Sequence, residues 1–250
     1  MVSSGPVGRD GWSELEPHVL QSMEDPICAS PPEALQWRMA KLERKYRLGS
    51  PFDDALGYAL RLHRKQRRKG KNVPYAAHLL GTAGIVLAFG GDEAQAIAAL
   101  LHDAAEDHGG RERLEQIRAR FGGAVATMVD DCTDTFEKEK PDWKPRKQAY
   151  IASLPGKNRR SLLVSAADKL DNARAIVADL RKAGPSTLDR FSGRGETVWY
   201  FRELVKTFNR LKVGPIATEL EVAVKEMTAL VLGPAQPSRR APGLRRRMDG

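Results

Sequence analysis

From about residue 50 onward, apolar positions recur at three- and four-residue intervals, and no stretch alternates with period two. Ser50-Pro51-Phe52-Asp53 has the composition of a helix entry: a Ser cap, an early Pro and an acid in the first turn. Phe52, Leu56, Ala59, Leu60 and His63 then fall on one helical face. The same spacing predicts helices over Ala76 to Phe89, Asp92 to His108, Arg111 to Phe121 and Ala124 to Asp131, each stopped by a glycine pair or a polar break. Lys144 to Leu154 and Asn158 to Ala183 follow, separated by Pro155-Gly156. Glu196 to Leu211 and Pro215 to Leu232 complete the set, split at Gly214-Pro215. The pattern predicts an all-α fold.

The ends differ from the body. Residues 1–32 are rich in Gly, Ser, Pro and acids, and read as a poorly ordered leader with at most a short helix from Trp12 to Met23. An amphipathic stretch from Pro32 to Tyr46 is expected to precede the body as a helix, so residues 33–232 form a single helical domain. Residues 233–250 read as a disordered basic tail: Arg239, Arg240, Arg245, Arg246 and Arg247, less Asp249, give it +4.

Composition narrows the classes. The formal charge of +9 suits an anionic partner, either a phosphate-rich small molecule or, through the basic tail, nucleic acid. Cys28 and Cys132 are too distant in sequence and too few for a disulfide framework or zinc ribbon, which points to a reducing cytoplasm. No apolar run reaches the roughly 18 residues of a membrane span, so no membrane partner is expected. Gly193 and Gly195 lack the spacing and the Lys-Ser/Thr of a phosphate loop.

The chemistry concentrates in Ala98-Ala99-Leu100-Leu101-His102-Asp103-Ala104-Ala105-Glu106-Asp107-His108. On a continuous helix His102 would stand over Glu106 and Asp103 over Asp107, making one polar stripe among buried alanines and leucines. Such a stripe is either a solvent-facing acidic edge or a cluster that a cation must compensate. His78 and Asp168 are isolated polar residues in apolar helical runs, where each could be a core residue with a local partner. Brought together, His78, His102, Asp103 and Asp168 would form a two-imidazole, two-carboxylate site suited to manganese, iron, zinc or cobalt. His108 is expected to cap its helix, and Trp199-Tyr200-Phe201 to pack in the core. The Lys- and Pro-rich stretch from Glu137 to Lys147 is expected to be an exposed loop flanking the pocket.

The ordered set of His63, Gln66, Arg68-Lys69, Pro74-Tyr75, His78, Leu101 to Asp107, Phe121-Gly122, Cys132-Thr133-Asp134 and Ala167 to Arg174 resembles the signature of the HD superfamily. It resembles most closely the hydrolase domain of the RelA/SpoT family, over about residues 52–180 and without a following nucleotidyl-transfer domain. The resemblance implies an HD-domain helical bundle with a metal, normally manganese, on His78, His102, Asp103 and Asp168. It implies that Glu106 and Asp107 position or activate water, that Arg68 and Lys69 meet base and phosphates, and that Tyr75 and Asn172 contact the nucleoside. The implied reaction removes the 3′-pyrophosphate of guanosine tetra- or pentaphosphate. Two departures stand out: Asp171 where the family usually has His, and Ser165 where long members often carry Lys. An acid at 171 is expected to lie beside the phosphate region, which keeps an adenosine alarmone or NADPH in view as substrate. A module that sequesters a nucleotide without turnover is the non-catalytic alternative.

Overall fold

The computed structural model describes residues 47–137 and 139–233. The expected leader, the helices at 12–23 and 32–46, and the tail beyond Gly233 lie outside the described residues. Ten α-helices follow in order: α1 (Ser50–Leu62), α2 (Ala76–Ala88), α3 (Glu93–Leu101), α4 (Ala104–Asp107), α5 (Gly110–Phe121), α6 (Gly123–Cys132), α7 (Trp143–Ser153), α8 (Arg159–Ala183), α9 (Thr197–Arg210) and α10 (Pro215–Leu232). Short 3-10 turns lie at Leu154–Gly156, Pro185–Arg190 and Arg194–Glu196. The one extended pairing among the described residues is an isolated bridge between Arg67 and Pro74, which closes the basic loop between α1 and α2. None of the described helices is long and apolar enough to cross a membrane.

Local chemistry sets most boundaries. Asp92 caps α3 by accepting from Gln95 N at 3.0 Å, and the Gln95 side chain accepts from Asp92 N at 3.1 Å, a reciprocal capping box. Asn158 caps α8 by accepting from Ser161 N, and Gly184 ends it with φ +73°, a conformation that favours glycine. Ser50 differs from expectation: it is the first residue inside α1, and Gly49 stands at the cap with its carbonyl accepting from Phe52 N and Asp53 N.

The largest departure falls in the motif segment. The expected single helix from Asp92 to His108 breaks at His102-Asp103, between α3 and α4. Asp103 adopts φ −94° and ψ −4°, off the helical optimum.

The 25-residue α8 is the central strut, packed against α2, α3, α6 and α10. Its inward face contributes Val164, Ala166, Ala167, Leu170 and Ala173, all without solvent exposure. Ala98 and Ala99 on α3 are equally buried. Small side chains at these crossings let the backbones approach closely, which allows short His and Asp side chains to meet. Tyr200 and Phe201 are buried in the core cluster and Trp199 packs against it, as the sequence suggested.

Replacing Leu170 by Ala leaves a cavity at the centre of the strut and is expected to lower unfolding free energy by about 2–5 kcal/mol. Chemical denaturation of the purified variant measures this, and a loss below about 1 kcal/mol would show that the strut can close over the gap.

Candidate active site

Three segments deliver four polar side chains to one buried point. α2 carries His78, the break between α3 and α4 carries His102 and Asp103, and α8 carries Asp168. His78 Nε2 lies 3.2 Å from His102 Nε2 and 3.2 Å from Asp168 Oδ1. Asp103 Oδ2 is 2.9 Å from His102 Nε2 and 3.6 Å from His78 Nε2, and Asp168 Oδ1 is 3.6 Å from His102 Nε2. The two consecutive side chains at the His102-Asp103 break meet at one point, Asp103 Oδ2 lying 2.9 Å from His102 Nε2.

Both imidazoles are oriented from behind. His102 Nδ1 donates to the Ala99 carbonyl at 2.7 Å, and His78 Nδ1 donates to Asp171 Oδ2 at 2.6 Å. With Nδ1 carrying the proton in each neutral ring, both Nε2 lone pairs face the cluster. Burial opposes charge on His78, yet hydrogen bonds to Asp103, Asp168 and Asp171 lift its pKa to about 9. The same contest, won by Asp103 and Asp168, holds His102 well above the usual histidine range. Burial would raise both acids, but His102 holds Asp103 well below the ordinary carboxylate range, and Lys169 with His102 does the same for Asp168. The cluster attracts positive charge at its centre.

A divalent transition ion fits that demand. His78, His102 and Asp103 offer ligand atoms all within 4.8 Å of one another, and Asp168 Oδ1 adjoins both imidazoles. Ligands about 2.1 Å from an ion stand about 3 Å apart when adjacent, comparable to the observed separations. Two nitrogens and two carboxylate oxygens form a borderline donor set.

The surroundings connect this point to a cavity of about 240 Å³. Tyr75 donates its hydroxyl to Asp103 Oδ2 at 2.5 Å, and burial together with that acid pushes its pKa up. Asn172 donates to Asp168 Oδ1 at 2.5 Å while its own carbonyl accepts from Arg68 at 2.8 Å. Arg68, Lys69, Tyr75 and Asn172 therefore all line the cavity that the cluster adjoins. Lys69 donates to Ser192 Oγ at 3.1 Å. Trp143, Lys147, Phe191 and Tyr200 also line the cavity.

Glu106 and Asp107 are held by partners outside the four-residue cluster. Glu106 accepts from Lys140 Nζ at 2.7 Å and from Asp134 N at 3.2 Å. Asp107 accepts from Gln66 Nε2 at 2.8 Å and lies 3.5 Å from Lys140. Gln66 Oε1 also pairs with His63 Nδ1 at 2.6 Å and with His108 Nε2 at 2.9 Å. His108 does occupy the C-terminal cap of α4, with its ring turned to Gln66.

Several contributors escaped the sequence reading. Trp143 and Lys147 belong to the first turns of α7 and line the cavity; the helix was expected from Lys144 and the stretch to Lys147 was expected to flank the pocket, but neither residue was singled out. Their spacing of four residues was the available signal. Lys169 donates to Asp168 Oδ2 at 2.6 Å from a buried position, and nothing in an apolar run marks such a pairing in advance. Asp171, expected beside the phosphate region, has its carboxylate on His78, a contact the sequence did not signal.

Comparison with known proteins gives consistent likenesses. The sequence model of the HD domain matches residues 55–194. The chain is 37% identical over 128 residues to the guanosine-3′,5′-bis(diphosphate) 3′-pyrophosphohydrolase MESH1 of Drosophila melanogaster, covering 50% of this chain and 69% of that protein. It is 32% identical over 162 residues to a probable guanosine-3′,5′-bis(diphosphate) 3′-pyrophosphohydrolase of Synechocystis, covering 59% of this chain but 20% of that longer protein. A solved structure of a metazoan SpoT ortholog that hydrolyses ppGpp superposes with a TM-score of 0.58 at 28% identity, covering 72% of this chain and 95% of the other.

A divalent transition ion at about 100 times its dissociation constant is expected to stabilise the fold by about 2.7 kcal/mol, and chelation to reverse this. Thermal melts with and without the ion measure the shift; an Asp168→Ala variant should show little of it.

Proposed function

The chain belongs to the HD-domain family, and on that basis we propose that it is a metal-dependent hydrolase of guanosine 3′,5′-bis(diphosphate) or its pentaphosphate. Water and substrate would yield GDP or GTP and pyrophosphate. The observation that carries this reading is the largely buried His78–His102–Asp103–Asp168 cluster beside a cavity lined by cations and aromatic rings. The nucleotide assignment draws its support from relatives of matching motif order that are named for this reaction.

In this reading His78, His102, Asp103 and Asp168 hold manganese. When bound, such an ion acidifies water and polarises a phosphoryl oxygen. The remaining work falls to the protein. Asp107 or Glu106 accepts and orients the proton of the attacking water, with Lys140 bridging the pair and Gln66 fixing Asp107. Arg68 and Lys69 attract the anionic substrate, and both have neutral partners, Asn172 and Ser192, rather than carboxylates. Tyr75 and Asn172 face the nucleoside while holding Asp103 and Asp168 in place. Such a soluble nucleotide pool would place the protein in the cytoplasm, where it would lower alarmone levels in a stringent-type response.

Asp171 had kept other nucleotides in view as an acid beside the phosphates. Its contact with His78 gives the carboxylate a partner within the site, which weakens that motive.

A panel of guanosine alarmones, an adenosine alarmone and NADPH, incubated with the protein and manganese, separates the readings by product. GDP or GTP with pyrophosphate is expected from the guanosine compounds. Glu106→Gln and Asp107→Asn should each lower kcat by about 10²–10⁴-fold while leaving manganese affinity unchanged. Orthophosphate from NADPH alone, or equal nucleotide depletion by wild type and Asp103→Ala, would overturn the assignment.

A further inference from the structure

Asp171 sits on α8 three residues after Asp168, so one turn of helix presents both carboxylates to α2. They meet opposite sides of the same ring. Asp168 Oδ1 lies 3.2 Å from His78 Nε2, and Asp171 Oδ2 lies 2.6 Å from His78 Nδ1. The other polar group near Nδ1 is the Thr82 hydroxyl, at 3.5 Å, the limit of hydrogen bonding.

The partner helix is shaped for this contact. Gly81 stands three residues after His78 on α2, and a Cβ there would collide with Asp171 Oδ1. The glycine leaves room for a carboxylate to reach past the helix backbone to the imidazole. Its own backbone does not demand glycine, because Gly81 is not among the positive-φ positions. Close approach by Asp171 is the constraint.

The two imidazoles are thus held by different means. His102 leans on a main-chain carbonyl of its own helix, which its position alone secures. His78 depends on a side chain from another helix. We propose that Asp171 is a positioning residue for the metal site: its carboxylate accepts from His78 Nδ1 and holds Nε2 toward the ion. Gly81 is the space that permits it. A carboxylate behind a ligating imidazole both orients the ring and increases its donor strength. Asp171 touches neither substrate nor ion; it acts through His78.

This inference rests on the metal site proposed above, and the test keeps the two apart. Manganese binding to the metal-free full chain is followed by the loss of the free-ion electron paramagnetic resonance signal, with no nucleotide present. Wild type should bind. Asp171→Ala should bind about 10–100-fold more weakly, while Asp171→Asn, which keeps an acceptor oxygen, should lose less. Gly81→Ala supplies a second route: alanine is the better helix former, so the metal-free melting temperature should hold or rise while manganese affinity falls. Wild-type affinity in both Asp171→Ala and Gly81→Ala, or an equal loss in Asp171→Asn and Asp171→Ala, would overturn the positioning role alone. Failure of the wild type to bind manganese would overturn the metal site and this inference together.

Discussion

Two imidazole nitrogens 3.2 Å apart, flanked by two carboxylate oxygens, with both rings and Asp168 buried and Asp103 partly so, are the constraint around which this fold is arranged. Burying such groups is unfavourable unless each is paired and the net charge is compensated. The surrounding helices answer the first need. Ala99, Asp171, Tyr75, Asn172 and Lys169 each give one hydrogen bond or ion pair to a member of the cluster. The second need is met in part by Lys169 against Asp168, and the remaining negative charge invites a cation. The long α8 supplies three of these five partners together with Asp168 itself, so the strut of the fold and the scaffold of the site are one element.

Much of this was legible because polar residues stood alone in apolar helical runs. His78 among Ala76, Ala77, Leu79 and Leu80, and Asp168 after Ala166-Ala167, have few roles consistent with their neighbours. Helical periodicity also located nine helical segments over the described residues, since Gly and Pro punctuate them clearly. The break at His102-Asp103 was not legible. Leu101 to Asp107 has helical composition throughout, and tertiary demands on Asp103 from His102 and Tyr75 outweigh local propensity there. The partners of Glu106 and Asp107 were hidden for a similar reason: Gln66 and Lys140 lie 41 and 34 residues away from the acids they meet.

The two departures from the family pattern have different physical settings. Ser165 pairs with the Tyr150 hydroxyl in the core, and the Tyr150 ring carries Lys169 at 4.9 Å and Lys157 at 4.1 Å from its centroid. Where long members place a lysine at 165, this chain places a hydroxyl, and two cations, buried Lys169 and partly buried Lys157, approach the adjoining ring from other positions. Lys157, held below the usual lysine range by burial, donates to the Asp131 carbonyl. Asp171 exchanges a basic side chain for an acidic one and spends that charge on His78.

Charge pairing around the cavity then decides where an anion would be drawn. Among the described residues, Lys71 and Arg190 are both paired with Asp179, Lys147 with Asp134 and Lys169 with Asp168. Arg68 and Lys69 meet only neutral oxygens. Six cationic side chains line the space, yet the uncompensated positive charge gathers on one wall. Arg68 is joined to Asp168 through the Asn172 amide, so an anion that engages the guanidinium also bears on a carboxylate of the buried cluster. The electrostatic pull on a substrate and the geometry of the proposed metal ligands are therefore coupled through one short relay rather than assembled independently.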